Sequence, residues 1–284
     1  MSRLLFCIRV IACGLLSAGI VLAQPVSCNQ ASVVGTYGFT FEGTVLATSP
    51  TAALPALPRV GLALVSINQE GLISATFVQS IGGQFSQGPM AGTMTVKPDC
   101  TAAIDWGSGM TATAVVLKNG DEIHSMMLTG VPAWNPVIHG TWKRISHMPG
   151  ELTSCSTASV VGTYSFRSSG SVMATPPGAS QAVPVVMTML GTGSIGYDGA
   201  FVSIGTGVAG KQVVPFESRG SFATAPDCTF SFTGTVAVNG VALASGAGWG
   251  VVLDGGNELW GISTADPMGA PVYWGTWTRI SPIP

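Results

Sequence analysis

Two tandem eight-stranded antiparallel β-barrels, all-β throughout, are the fold this sequence predicts, and three observations predict it. One set of motifs occurs twice in the same order. Nearly every segment between turn signals alternates apolar and polar residues with the period of a strand. Glycine and β-branched residues are frequent, and no stretch offers helical periodicity.

The repeat sets the organisation. CNQASVVGTY from Cys28 to Tyr37 recurs as CSTASVVGTY from Cys155 to Tyr164. PDCT from Pro98 to Thr101 recurs from Pro226 to Thr229, and GTWKRIS from Gly140 to Ser146 recurs as GTWTRIS from Gly275 to Ser281. The chain therefore divides into an N-terminal segment at 1–23, a first module at 28–146, a linker at 147–154 and a second module at 155–282. Modules of roughly 125 residues are large enough for separate cores.

Within the first module the elements follow in order. Val33 to Phe41 alternates, with Tyr37, Phe39 and Phe41 on one face. Arg59 to Asn68 and Leu72 to Ile81 meet at Gln69-Glu70-Gly71, a hairpin signal matched by Tyr197-Asp198-Gly199 in the second module. Pro89 to Lys97 and Thr101 to Trp106 flank the Pro-Asp-Cys turn. Thr111 to Leu117 and Glu122 to Thr129 flank Lys118-Asn119-Gly120-Asp121, and Val137 to Ile145 closes the module. Eight strands in hairpin order are expected to close into a barrel, because closure removes exposed edges. A β-sandwich is the alternative arrangement.

Residues 1–23 read as a signal peptide. Arg3 supplies the positive start, Leu4 to Leu22 is largely apolar, and Val21-Leu22-Ala23 fits small-residue cleavage. The chain is expected to be secreted or periplasmic. Arg9 interrupts the short apolar run before Cys13, so lipoprotein anchoring is not expected. Four cysteines then remain, with three possible pairings. The repeat selects Cys28 with Cys100 and Cys155 with Cys228, one bridge per module at nearly equal spacing. Export to an oxidising compartment lets such bridges persist.

Composition excludes several classes. A net charge of −2 and the lack of any Lys or Arg run argue against nucleic-acid binding. With only 8 % charged residues and many apolar ones, the chain does not have the composition of disorder. Past the signal segment no long unbroken apolar run reads as a transmembrane helix. No CxxC or His-x-His spacing marks a metal site, and no cofactor is expected.

The duplication also tests candidate chemical residues. His124 aligns with Trp260, His139 with Trp274 and His147 with Pro282, so a proton-transferring His is not repeated. The acids that recur, Glu70 with Asp198, Asp99 with Asp227 and Glu122 with Glu258, fall at turns, where they bond local backbone. The string from Gly191 to Gly196 matches GxGxxG but has no following helix to hold a phosphate. No catalytic residue is assigned.

The set of motifs resembles a family of uncharacterised secreted bacterial proteins whose modules look like calycin-type or allene-oxide-cyclase-type barrels. That resemblance spans both modules and implies no established activity. A looser similarity to lipocalins, with Tyr37 and Tyr164 replacing a Trp, places Arg144 and Arg279 of the last strands over those tyrosines as cation–π pairs.

What remains is an aromatic and apolar lining. The ligand-lining candidates are Tyr37, Phe39, Met94, His124 and Trp142 in the first module, with Tyr164, Phe166, Trp260 and Trp277 in the second. The expected function is non-enzymatic, with a small apolar ligand held inside a barrel. The second reading is an extracellular or envelope interaction module acting through the loops Ala47 to Pro58 and Thr175 to Pro184. The third is an allene-oxide-cyclase-like isomerase, which needs convergent polar groups in a cavity.

Overall fold

The computed structural model of the chain describes residues 27–47, 56–129, 134–149, 154–174, 183–209, 212–265 and 271–281. The expected signal segment, most of both Pro- and Ala-rich loops and residues 150–153 of the linker lie outside these.

The first module comprises β1 (Gly35–Ala47), β2 (Leu57–Ile67), β3 (Leu72–Ile81), β4 (Gln84–Val96), β5 (Thr101–Asp105), β6 (Thr111–Leu117), β7 (Glu122–Thr129) and β8 (Trp134–Ser146). The second comprises β9 (Gly162–Ala174), β10 (Val183–Ile195), β11 (Ala200–Ala209), β12 (Gln212–Thr224), β13 (Thr229–Val238), β14 (Val241–Leu253), β15 (Glu258–Ala265) and β16 (Pro271–Ser281). Within each module, each strand pairs antiparallel with its neighbours in sequence. β1 also pairs with β8 and β9 with β16, so each module is a closed barrel and not a sandwich. Several boundaries differ from expectation, among them the end of β1 at Ala47 and the start of β8 at Trp134, and two of the shifted starts have a visible cause. β1 starts at Gly35 because Gln30–Val33 is a 3-10 turn, with Asn29 and Ser32 capping each other's backbone N–H groups. β4 starts at Gln84 because Gly82 and Gly83, both at positive φ, reverse the chain at once after β3.

One end of each barrel is sealed by the conserved motifs of the repeat. Disulfides join Cys28 to Cys100 and Cys155 to Cys228. Beside them, Asp99 Oδ1 accepts from the Thr101 N–H and hydroxyl, and Asp227 does the same for Thr229. The 3-10 turn lies across the opening, and the Tyr37 hydroxyl sits 3.0 Å from the carbonyls of both Val33 and Gly120. Arg144 donates to Ser32 O and Gly120 O, with its guanidinium carbon 5.3 Å from the Tyr37 ring centroid. The second barrel repeats this with Tyr164 between Val160 O and Gly256 O, and Arg279 at 5.6 Å over the ring. Gly120 admits no side chain: at φ +92° a Cβ would stand 1.7 Å from Ser32 O, and Gly256 faces Ser159 O in the same way. Both arginine–tyrosine pairs expected from the sequence are present.

The barrels pack on each other through their outer faces. β2 is apolar on both sides, with Ala63 and Val65 inside the barrel and Val60, Leu62 and Leu64 outside it. A strand of that kind needs cover on both faces, and here Val251, Leu253, Trp260 and Ile262 of the second barrel supply it. Gly38 lets the surfaces approach, since a Cβ there would lie 2.9 Å from the side chains of Val251 and Leu253. The rim is polar. Lys143 Nζ pairs with Glu258 at 2.7 Å, and Trp274 Nε1 donates to Glu42 at 2.9 Å.

Candidate functional site

A barrel of eight strands is wide enough either to be filled by its side chains or to hold one small ligand. The two barrels differ on this point, and the difference starts in the β5–β6 hairpin. The chain from Cys100 to Glu122 is eight residues shorter than that from Cys228 to Glu258. β5 therefore ends at Asp105, and Gly107 and Gly109 at positive φ turn the chain back. The β4–β5 ladder runs only from Thr93 to Val96, whereas the matching β12–β13 ladder runs from Phe216 to Thr224. The first barrel's wall is thus shorter on one side.

Inside the first barrel, the sealed end is solid. Trp142 is fully buried and stacks on Phe39 with centroids 4.4 Å apart, and Trp106 lies 5.8 Å from Trp142. Beyond this aromatic layer, toward the end away from Tyr37, lies a cavity of about 480 Å³. Phe39, Phe41, Phe77 and Trp106 form its aromatic wall. Met90, Met110 and Met127 add a flexible wall that can refit to an occupant.

Two polar side chains enter this cavity, Arg59 of β2 and Gln79 of β3. Arg59 points inward because it shares the parity of Ala63 and Val65. Its Nε donates to Gln79 Oε1 at 2.9 Å, and Gln79 Nε2 donates to Ser86 Oγ at 3.0 Å, which fixes the amide's orientation. The guanidinium carbon lies 5.1 Å from the Phe41 ring centroid. Burial pulls the Arg59 pKa down to about 10, with no opposing charge to offset it. An arginine still carries its proton at neutral pH, so the site presents a partly desolvated cation.

The second barrel is fuller. Its cavity is about 150 Å³, and Phe201, Phe216, Phe222, Phe230 and Phe232 occupy much of the bore. Phe230 lies against Gly250 and Phe232 against Gly248, positions where a Cβ would come within 2.1 Å of each ring. The place of Arg59, opposite Gly43 on β1, is taken by the buried Met187, opposite Gly170 on β9.

The lining candidates read from sequence separate into four groups. Phe39 lines the first cavity, and Phe166 and Trp277 line the second. Tyr37, Tyr164, Trp142 and Met94 are inside the barrels but belong to the sealed, packed part. His124 stands on the outer face, its side chain 52 % exposed, with Nε2 2.6 Å from Glu122 Oε1. Trp260 is buried, but in the seam between barrels, with Nε1 donating to Glu258 at 2.7 Å. Both lie one residue off the inward parity, which Ile123 and Leu259 hold. Glu122 and Glu258 thus make the same bond to the ring two residues on, once in solvent and once against the other barrel. Lys118 and then His124 hold the Glu122 carboxyl below its ordinary pKa. Sequence reading did not single out Arg59 and Gln79. The parity of Arg59 with Ala63 and Val65 was the signal that marks it.

No protein-family model matches the chain, and no curated protein matches it with significance. Among solved structures it is similar to transferrin binding protein B of Haemophilus parasuis, at 7 % identity and a TM-score of 0.31, over 88 % of this chain and 76 % of that one. It is similar to a protein of unknown function from the DUF3598 family of Nostoc punctiforme, at 10 % identity and a TM-score of 0.22, over 88 % and 97 %. A putative outer membrane protein of Bacteroides fragilis aligns at 13 % identity and a TM-score of 0.25, over 88 % and 99 %. Scores of this size carry no functional argument, and the two-barrel architecture rests on the chain's own strand pairing.

Proposed function

We propose that this chain is an exported, non-enzymatic binding protein whose first barrel holds a small, largely apolar molecule while the second serves as a filled scaffold. One observation carries the reading: the first cavity is about 480 Å³ and the second about 150 Å³. Ligand sites are usually concave and mostly apolar, with roughly 300–1,000 Å³ and a few placed polar groups. The first cavity meets that description. An oxidised disulfide in each module fits maturation in an oxidising compartment, in keeping with the signal segment expected at 1–23. Native mass spectrometry of protein purified from its own host tests the reading. A retained small molecule is the expected result. An empty protein that also fails to take up a neutral apolar dye overturns it.

A second reading, surface interaction, is favoured by the outer face of β10 and β11. Val186, Leu190 and Ile204 stand 57–69 % exposed there, and the neighbouring Val202 and Val208 are also exposed. Apolar surface grouped in this way is the usual mark of a contact site.

A further inference from the structure

We propose that the molecule held in the first barrel carries a single carboxylate head, and that Arg59, braced by Gln79, reads that head while the aromatic and methionine walls take an alkyl tail. The inference rests on the binding reading above and narrows its ligand class.

Arg59 is the one charged side chain among the described residues of the cavity wall. Its single hydrogen bond to a described residue uses Nε, so the two Nη nitrogens have no described acceptor. No carboxylate of the described residues pairs with it, although four other lysine and arginine side chains of the fold, Lys118, Lys143, Arg144 and Arg219, have acidic partners. A cation taken part-way out of water without a counter-charge is unfavourable, and an anion arriving from outside relieves that. The free edge of a guanidinium is a planar fork of N–H donors, which fits a planar carboxylate with two parallel bonds. Gln79 contributes by holding the fork still. Its amide is itself fixed by Ser86, so the arginine loses little freedom when the ligand binds. The tail then runs toward Phe39, Phe77 and Trp106, where no polar partner is required.

The second barrel supplies the natural control, because Met187 stands where Arg59 does and none of the described residues lining its cavity is charged. The test compares dodecanoate with dodecanol at neutral pH by calorimetry and by displacement of N-phenylnaphthylamine, a neutral dye. Wild-type protein is expected to bind the carboxylate at least about tenfold more tightly than the alcohol, as a charge-assisted pair in a partly dry site allows. Arg59→Met is expected to bring the two affinities together while the cavity still takes up the neutral dye. Arg59→Lys, which keeps the charge and loses the fork, falls between them. Equal binding of acid and alcohol by the wild type overturns the carboxylate assignment and leaves the apolar reading standing. Failure of dye, acid and alcohol alike overturns both. If Arg59→Met does not fold, the wild-type comparison of acid with alcohol decides alone.

Discussion

At the sealed end the two barrels carry the same tyrosine, arginine, glycine and disulfide, whereas along the bore, apart from the Phe39–Trp142 and Phe166–Trp277 stacks, most of the lining differs. Tyr37 and Tyr164, Arg144 and Arg279, Gly120 and Gly256 and the two disulfides superpose in role, residue by residue. Further in, the differences come as cross-strand pairs. Phe41 opposite Gly61 becomes Ser168 opposite Met189, and Ile104 opposite Ala112 becomes Phe232 opposite Gly248. In each pair, one side grows as the other shrinks. The interior of a barrel must stay near close packing, so a large side chain is accepted only where its partner across the ladder gives way. What escapes this exchange is the β5–β6 hairpin, whose shortening removes wall as well as filling. That is where the first barrel is hollow.

The largest test of the shared end is removal of the disulfides. Cys28→Ala with Cys100→Ala should destabilise the first barrel by roughly 3–5 kcal/mol, and Cys155→Ala with Cys228→Ala should do the same to the second, because both close loops of similar length. Denaturant unfolding followed by tryptophan fluorescence measures both. A loss confined to one pair would mean that the matching motifs do unequal work.

The paired exchange is tested by Gly248→Ala in the second barrel. The added Cβ meets the Phe232 ring at 2.1 Å and Ile262 O at 2.7 Å, so overpacking should cost roughly 1–3 kcal/mol. Adding Phe232→Ile recreates the Ile104–Ala112 pair of the first barrel and should recover the side-chain part of that loss. The contact with the Ile262 carbonyl sets what is not recovered. A double-mutant cycle with no positive coupling would show that the pairs are not compensating.

Much of this architecture was legible in the sequence, for a physical reason. Closing motifs act locally: a cysteine, a Gly-Thr-Tyr start and a turn aspartate each do one job at one place, so repetition exposes them. The disulfide pairing followed from that, while the Arg144–Tyr37 and Arg279–Tyr164 contacts were what the similarity to lipocalins implied. Hollowness is a sum over side chains from eight strands, and no single position reports it. Trp260 shows a second limit. Its burial comes from the other barrel, and the clue lay elsewhere, in the unbroken apolar run from Val60 to Val65 that required cover on two faces. Arg59 was masked by its surroundings, since a single charge beside a proline reads as a strand end until parity turns it inward.

The smallest expected effect separates the two tyrosines at the sealed ends. Tyr37→Phe removes a donor from Val33 O, while Gly120 O keeps the Nε bond of Arg144, so the cost should be roughly 1–2 kcal/mol. Tyr164→Phe should cost somewhat more, because the Tyr164 hydroxyl also accepts from Arg279 at 3.0 Å. The pH dependence gives an independent check. Burial pushes the Tyr37 pKa from 10.0 up to about 12, against the opposing pull of Arg144, and it raises Tyr164 in the same direction. Below the ordinary phenol value both folded and unfolded chains keep the Tyr37 proton, and its contribution to stability is fully present. Between that value and about 12 the unfolded chain has lost the proton and the folded chain still holds it, so stability falls as pH rises. Other groups also titrate there, which makes the difference between wild type and Tyr37→Phe the quantity to measure. The wild type should lose stability more steeply across that window, and parallel curves would mean that the Tyr37 hydroxyl is no more buried than in the unfolded chain.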